Sequence, residues 1–111
     1  MCVNKSRIVE IAKDLIKYRS LTGMEKDIGE YVSGFFESIG VEYGIYEKEK
    51  GRPNIIANLG HGEKTIAFNG HLDVVPIADE SIWETDPFSA ELKGNRLFGR
   101  GAYDMKGSCA V

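Results

Sequence analysis

At Gly40 the apolar residues change period, and that change limits the possible folds more than any other feature of the sequence. Before it, Ile8, Ile11, Ala12, Leu15 and Ile16 repeat at helical spacing with Lys5, Lys13, Asp14 and Lys17 among them, which predicts an amphipathic helix. A second stripe, Ile28, Tyr31, Val32, Phe35, Phe36 and Ile39, predicts another helix beginning at Thr22, since Thr22 and Glu25 have the spacing of a capping box. Gly40 stands where a helix end favours left-handed backbone. Beyond it Val41, Tyr43 and Ile45 alternate, the period of a strand. Residues 54–59 and 65–69 are strand-like runs separated by Gly60, His61 and Gly62, which predicts a hairpin at the start of a central sheet. Residues 90–92 and 96–98 flank Lys93, Gly94 and Asn95, a second hairpin signal, and another helix starts near Gly107. Two helices followed by strands give an α/β fold class, a layered mixed β-sheet with flanking helices.

The composition narrows the partners. Of 111 residues, 14 are Lys or Arg and 17 are Asp or Glu, a net charge of −3, and the most basic stretch, 48–52, is interrupted by Glu49. No basic face for nucleic acid or an anionic membrane follows from such a sequence. It has no apolar run of membrane-spanning length and no signal-peptide pattern at its start, so a cytoplasmic protein is expected. Cys2 and Cys109 have no metal-ligand spacing and read as incidental thiols. The length admits one domain, 1–111, with no repeat or linker. Residues 108–111 read as the first turn of an apolar helix, yet isolated helices need about 12–15 residues even to be marginal. The expectation is therefore part of a longer polypeptide, the alternative being a helical stub packed on a complete domain.

Chemistry concentrates in two places. His71 and Asp73 end a strand-like run, and residues two apart on a strand share a face. One ring nitrogen of His71 is then free to bind a metal while Asp73 accepts the other N–H, although an isolated His-x-Asp triplet is more often structural. The second cluster runs from Gly99 to Gly107 and sets Asp104 in a glycine-rich connection between strand and helix. A phosphate loop is excluded, because Asp104 occupies the third-glycine position of a dinucleotide fingerprint and no Gly-Lys-Ser or Gly-Lys-Thr follows. For this segment alone, a metal ligand and a helix-capping carboxylate are about equally good readings.

Taken together, Gly70-His71-Leu72-Asp73-Val74-Val75-Pro76, Trp83, Asp86-Pro87-Phe88, Gly99-Arg100-Gly101-Ala102 and Asp104-Met105-Lys106-Gly107 resemble the N-terminal part of the dinuclear zinc metallopeptidases and deacylases. That family includes acetylornithine deacetylase, succinyl-diaminopimelate desuccinylase, aminoacylase and carboxypeptidase G. The resemblance extends to residues 20–23 and to Arg52-Pro53-Asn54. It implies the N-terminal portion of a zinc-exopeptidase-like catalytic domain, with His71 binding one metal, Asp104 bridging two and Asp73 supporting His71 as a catalytic-site residue. It also implies a cis peptide between Asp104 and Met105. The family's Glu pair, further acidic ligand, late His and dimerising lid have no counterpart here, since no Glu follows Glu91. His61 matches no family ligand.

For the intact parent the resemblance implies hydrolysis of an amide in an N-acyl amino acid or short peptide, with two Zn²⁺, or Co²⁺ in their place, polarising the scissile carbonyl and acidifying water. A homodimeric parent of acetylornithine deacetylase or succinyl-diaminopimelate desuccinylase type is the leading expectation, and a dipeptidase or aminoacylase parent the alternative. The isolated chain is expected to be inactive and to self-associate. A non-catalytic chain that binds metal, or one completed by a partner, is the alternative of a different class. Trp83 and Phe88 are expected to pack loops rather than to bind substrate, and Arg100 to serve a local partner.

Overall fold

The computed structural model describes residues 4–111. Cys2 lies outside them. The first apolar stripe forms helix α1, Lys5–Lys17, whose N-terminus is capped by Asn4 accepting the Arg7 N–H at 3.1 Å. The second forms α2, Lys26–Ser38. This helix starts three residues later than the capping-box spacing predicts, and no side chain caps it. Gly23 turns the chain at φ +95°, Glu25 accepts the Gly23 N–H and pairs with Arg52, and the Thr22 hydroxyl is drawn away to Asp73. Gly40 ends α2 as expected: at φ +70° it directs its own N–H to the Glu37 carbonyl and the Val41 N–H to that of Phe36. This pair of bonds is the Schellman closure that satisfies the helix's last carbonyls.

Strand β1, Glu42–Glu47, follows at once and pairs antiparallel with β2, Pro53–Asn58, in the register Glu42 to Asn58 and Glu47 to Pro53. Here the structure corrects the expected hairpin between 54–59 and 65–69. The run at 53–58 pairs backward, because the turn at 48–52, with Gly51 at φ +81° and the Arg52 N–H on the Glu49 carbonyl, folds it onto β1. Residues 65–69 make no ladder, and among the described residues no strand lies beside them. Ile66 is 82% and Phe68 96% exposed, and the residues between and beside them are exposed as well, so both faces of this segment are open to solvent. The later hairpin forms as expected from β3, Glu91–Lys93, and β4, Arg96–Phe98, with Gly94 at φ +61° in its turn. The described residues thus hold two separate two-stranded sheets with helices beside them.

The core lies between α1, α2 and the C-terminal turn. Ala12, Leu15, Ile28 and Ala110 are buried together, with Ile8, Ile11, Tyr31, Val32 and Leu72 packed on them. Each fully buried Leu or Ile contributes roughly 1.5–3 kcal/mol relative to exposure. Ile16, with no exposed surface, packs on Gly99, where a methyl group would collide with its side chain. Pro53 sits against Gly29 in the same way and locks β2 to α2. The last helical element, α3, Gly107–Cys109, is a single turn.

Candidate metal centre

The segment carrying His71 and Asp73 is positioned by the loop that leaves α1. Leu21 and Val74 form a parallel bridge, the Val74 N–H donates to the Ser20 carbonyl at 2.8 Å, and the buried Ser20 hydroxyl donates to the Leu72 carbonyl at 2.7 Å. Residues 20–22 therefore run alongside 72–74, and Thr22 reaches Asp73, donating its hydroxyl to Oδ2 at 2.7 Å.

Asp104 arrives from the other side. Gly101, at φ +84°, opens a wide π-helical turn, Ala102–Lys106, which is broken by non-helical backbone at Asp104 (φ −126°, ψ 97°) and Met105 (φ −134°, ψ 29°). The peptide between these two residues is cis, as the resemblance implies. A side chain at Gly101 would strike Val74 and Lys106, so glycine there permits both the turn and the close approach. Lys106, without exposed surface, donates its ammonium to the Tyr18 carbonyl at 2.7 Å and ties the turn to the end of α1. Burial pulls its pKa down to about 8. Asp104 does not act as the helix cap that its sequence context equally allowed, since the turn begins at Gly101 and no side chain caps α3.

The two segments meet at His71. Its Nε2 is 3.0 Å from Asp104 Oδ1, while its Nδ1 is 3.1 Å from Asp73 Oδ1 and 3.1 Å from the Asp73 carbonyl oxygen. The expected reach between His71 and Asp73 is met, with the ring nitrogen beside one carboxylate oxygen and the carbonyl oxygen of that residue. Both ring nitrogens face acceptors, and a neutral imidazole with one N–H can satisfy only one of them. A second proton, or a cation between Nε2 and Asp104 Oδ1, would satisfy both sides of the ring. Burial, the largest single influence, lowers the His71 pKa, but hydrogen bonds to Asp104 and Asp73 together with their charges raise it overall. Asp73 is held below its ordinary value, foremost by the Thr22 hydrogen bond and also by the charge of His71.

The donors suit zinc in kind, an imidazole nitrogen and a carboxylate oxygen. They lie 3.0 Å apart, in direct hydrogen-bonding contact, so both could reach a single ion after a small shift. Among the described residues no group of three or more His, Cys, Asp or Glu is assembled for a metal. Asp104 borders a shallow open cleft lined by Ala102, Tyr103, Gly107, Ser108 and Val111.

The other aromatic and basic residues singled out in the sequence lie in packing positions. Arg100 stacks on Trp83 at 5.2 Å and gives its backbone N–H to the Pro87 carbonyl, while Arg19 covers Phe88 at 4.8 Å. His61 is exposed in a loop. Cys109, half-buried, directs its thiol to the His71 carbonyl at 3.5 Å, and burial raises its pKa. The pattern missed Ser20, Thr22 and Lys106 as parts of the site's framework; the only signal for the first two was their place in the family-like run 20–23.

The fold resembles that of M20-type peptidases. Residues 67–111 match the model of peptidase family M20/M25/M40. The chain is 33% identical over 107 residues to a succinyl-diaminopimelate desuccinylase of Methylocella silvestris, covering 93% of this chain and 28% of that protein. It is 39% identical over 104 residues to the protein of the same name in Legionella pneumophila, covering 93% and 27%. The crystal structure of an M20 family metallo-carboxypeptidase from Sulfolobus solfataricus matches with a TM-score of 0.75 and 27% identity, over 97% of this chain and 25% of that one. The resemblance read from the sequence is thus borne out. The chain spans about a quarter of the length of these relatives. No helix among the described residues is long and apolar enough to cross a membrane.

Proposed function

We propose that this chain is the N-terminal part of the catalytic domain of a metal-dependent amide hydrolase, and that it supplies two of the metal donors, His71 Nε2 and the Asp104 carboxylate. The observation that carries the reading is the His71 ring, both of whose nitrogens face carboxylate oxygens, leaving a place for positive charge between Nε2 and Asp104. By family resemblance the Asp104 carboxylate would serve two zinc ions in the complete site, or cobalt in their place. Bound zinc supplies Lewis-acid polarisation of the scissile carbonyl and lowers the pKa of water. The chain's own residues do the rest of what falls to it. Asp73 keeps the proton on Nδ1 and so presents the Nε2 lone pair, and the broken turn at 104–105 aims the carboxylate. The general base and the remaining donors, by family resemblance a Glu pair, another acid and a His, come from other parts of the polypeptide.

The desuccinylase relatives support an N-succinyl or N-acetyl amino acid as substrate, and the Sulfolobus carboxypeptidase supports a short peptide as the second choice. A homodimeric, cytoplasmic enzyme accords with the family resemblance. The test is hydrolysis by the intact protein with zinc or cobalt, followed as release of succinate, acetate or a C-terminal amino acid. Turnover should be lost on chelation and restored by metal. His71→Ala should abolish it, and Asp73→Asn should weaken zinc by about 10- to 100-fold. Undiminished turnover by metal-free or His71→Ala protein would overturn the proposal.

A further inference from the structure

The sequence makes Thr22 a helix cap, and the structure removes it from that role without leaving it idle. It lies 51 positions from Asp73 in the chain and gives Oδ2 a 2.7 Å hydrogen bond. We infer that Thr22 is a positioning residue of the metal centre, fixing the rotation of the Asp73 carboxylate so that Oδ1 stays beside His71 Nδ1 and Nε2 stays aimed at Asp104. The inference rests on the metal-centre reading proposed above and extends it one residue outward.

The need for such a residue lies in the Asp side chain. Its terminal torsion is broad and roughly two-fold, so one contact does not hold the carboxylate plane. With Oδ2 taken by Thr22, Oδ1 is left 3.1 Å from Nδ1. A hydroxyl-to-carboxylate bond is charge-assisted and strong enough to set that plane.

Thr22 is itself held, although it is exposed. On one side Ser20 is buried and doubly tied to 72–74, through its hydroxyl on the Leu72 carbonyl and its carbonyl on the Val74 N–H. On the other, the Gly23 N–H donates to Glu25 at 2.8 Å, and Glu25, also buried, is gripped by Arg52 at 3.2 Å. The hydroxyl is therefore delivered to Asp73 by anchored backbone on both flanks. The resulting chain, Thr22 to Asp73 to His71 to Asp104, links the loop after α1 to the broken turn before α3.

Thr22→Val removes the hydroxyl and keeps the shape, Thr22→Ala removes both, and Thr22→Ser restores the donor. Zinc affinity of the intact protein, measured by competition with a chromophoric chelator, should fall about tenfold in the Val and Ala variants, the lower end for loss of an outer contact because water can replace an exposed hydroxyl. It should return in the Ser variant, with the thermal midpoint of the metal-free protein little changed throughout. A second reading needs no metal: ¹⁵N spectra of the His71 ring in alkaline buffer, assigned by His71→Ala, should show the Nδ1–H tautomer in wild type and a mixture in Thr22→Val. Wild-type zinc affinity together with unchanged ring signals in Thr22→Val would overturn the inference. So would an affinity loss that tracks a fall in thermal midpoint and is not rescued by Ser. If wild type binds no zinc yet the ring signals respond to Thr22→Val, the metal reading fails and the positioning role stands.

Discussion

Lys106 shows how a single residue can be indispensable to a site's shape and invisible in its sequence. In Asp104-Met105-Lys106-Gly107 it reads as a surface lysine at a helix start, yet its side chain is fully buried and its ammonium rests on the Tyr18 carbonyl. Burial lowers its pKa from 10.5 to about 8. Because the folded value lies below the unfolded one, the unfolded chain binds more protons between them, and stability rises with pH from about 8 to about 10.5. The rise, on the order of 3 kcal/mol at most, should appear as an increasing urea midpoint across that window. Lys106→Met should flatten it, and the difference between the two proteins isolates this lysine from tyrosine and cysteine titration. Equal slopes for both would mean that the ammonium is not desolvated. His71, Asp73 and Asp104 could be singled out in the sequence because they lie in short runs that resemble family motifs, although spacing alone left their roles open. The site roles of Thr22 and Lys106 could not be read there, because their partners, Asp73 and Tyr18, lie 51 and 88 positions away.

Among the elements, those whose boundaries are decided locally matched expectation. The helix end at Gly40 and the turn at Gly94 each need positive φ, a requirement that a glycine announces by itself. The start of α2 and the pairing of 53–58 did not match, since both depend on distant or competing partners: Asp73 takes the Thr22 hydroxyl, and β1 takes the strand that residues 65–69 were expected to share. Gly29 offers a test of how tertiary contact outweighs local preference. It lies inside α2, where alanine would favour the helix by about 1 kcal/mol. A methyl group there would run into the Pro53 ring. Overpacking of this kind costs typically 1–3 kcal/mol, so Gly29→Ala should destabilise the protein by a net of roughly 1 kcal/mol, read as a lower urea midpoint. Stabilisation would show that α2 and β2 separate without cost.

The whole molecule is more open than its length requires. Its radius of gyration is 15.0 Å, against about 13 Å for a compact domain of this size. The openness is concentrated where the sequence is most strand-like, for Leu59, Ile66 and Phe68 are all more than four-fifths exposed and residues 65–69 offer unpaired backbone as well as apolar side chains. An extended, apolar, unpaired segment is a template for another strand, and in the isolated 111-residue chain the nearest supply is a second copy. The chain by itself should therefore self-associate in sedimentation experiments, with a weight-average mass that climbs with concentration. Placing charge on the apolar face of the segment, as in Ile66→Lys with Phe68→Glu, should shift the chain toward monomer while leaving α1, α2 and the His71 site in place, because neither side chain contributes to the core. A concentration-independent monomer with a cooperative thermal transition would mean instead that these residues close on the chain's own surface in solution.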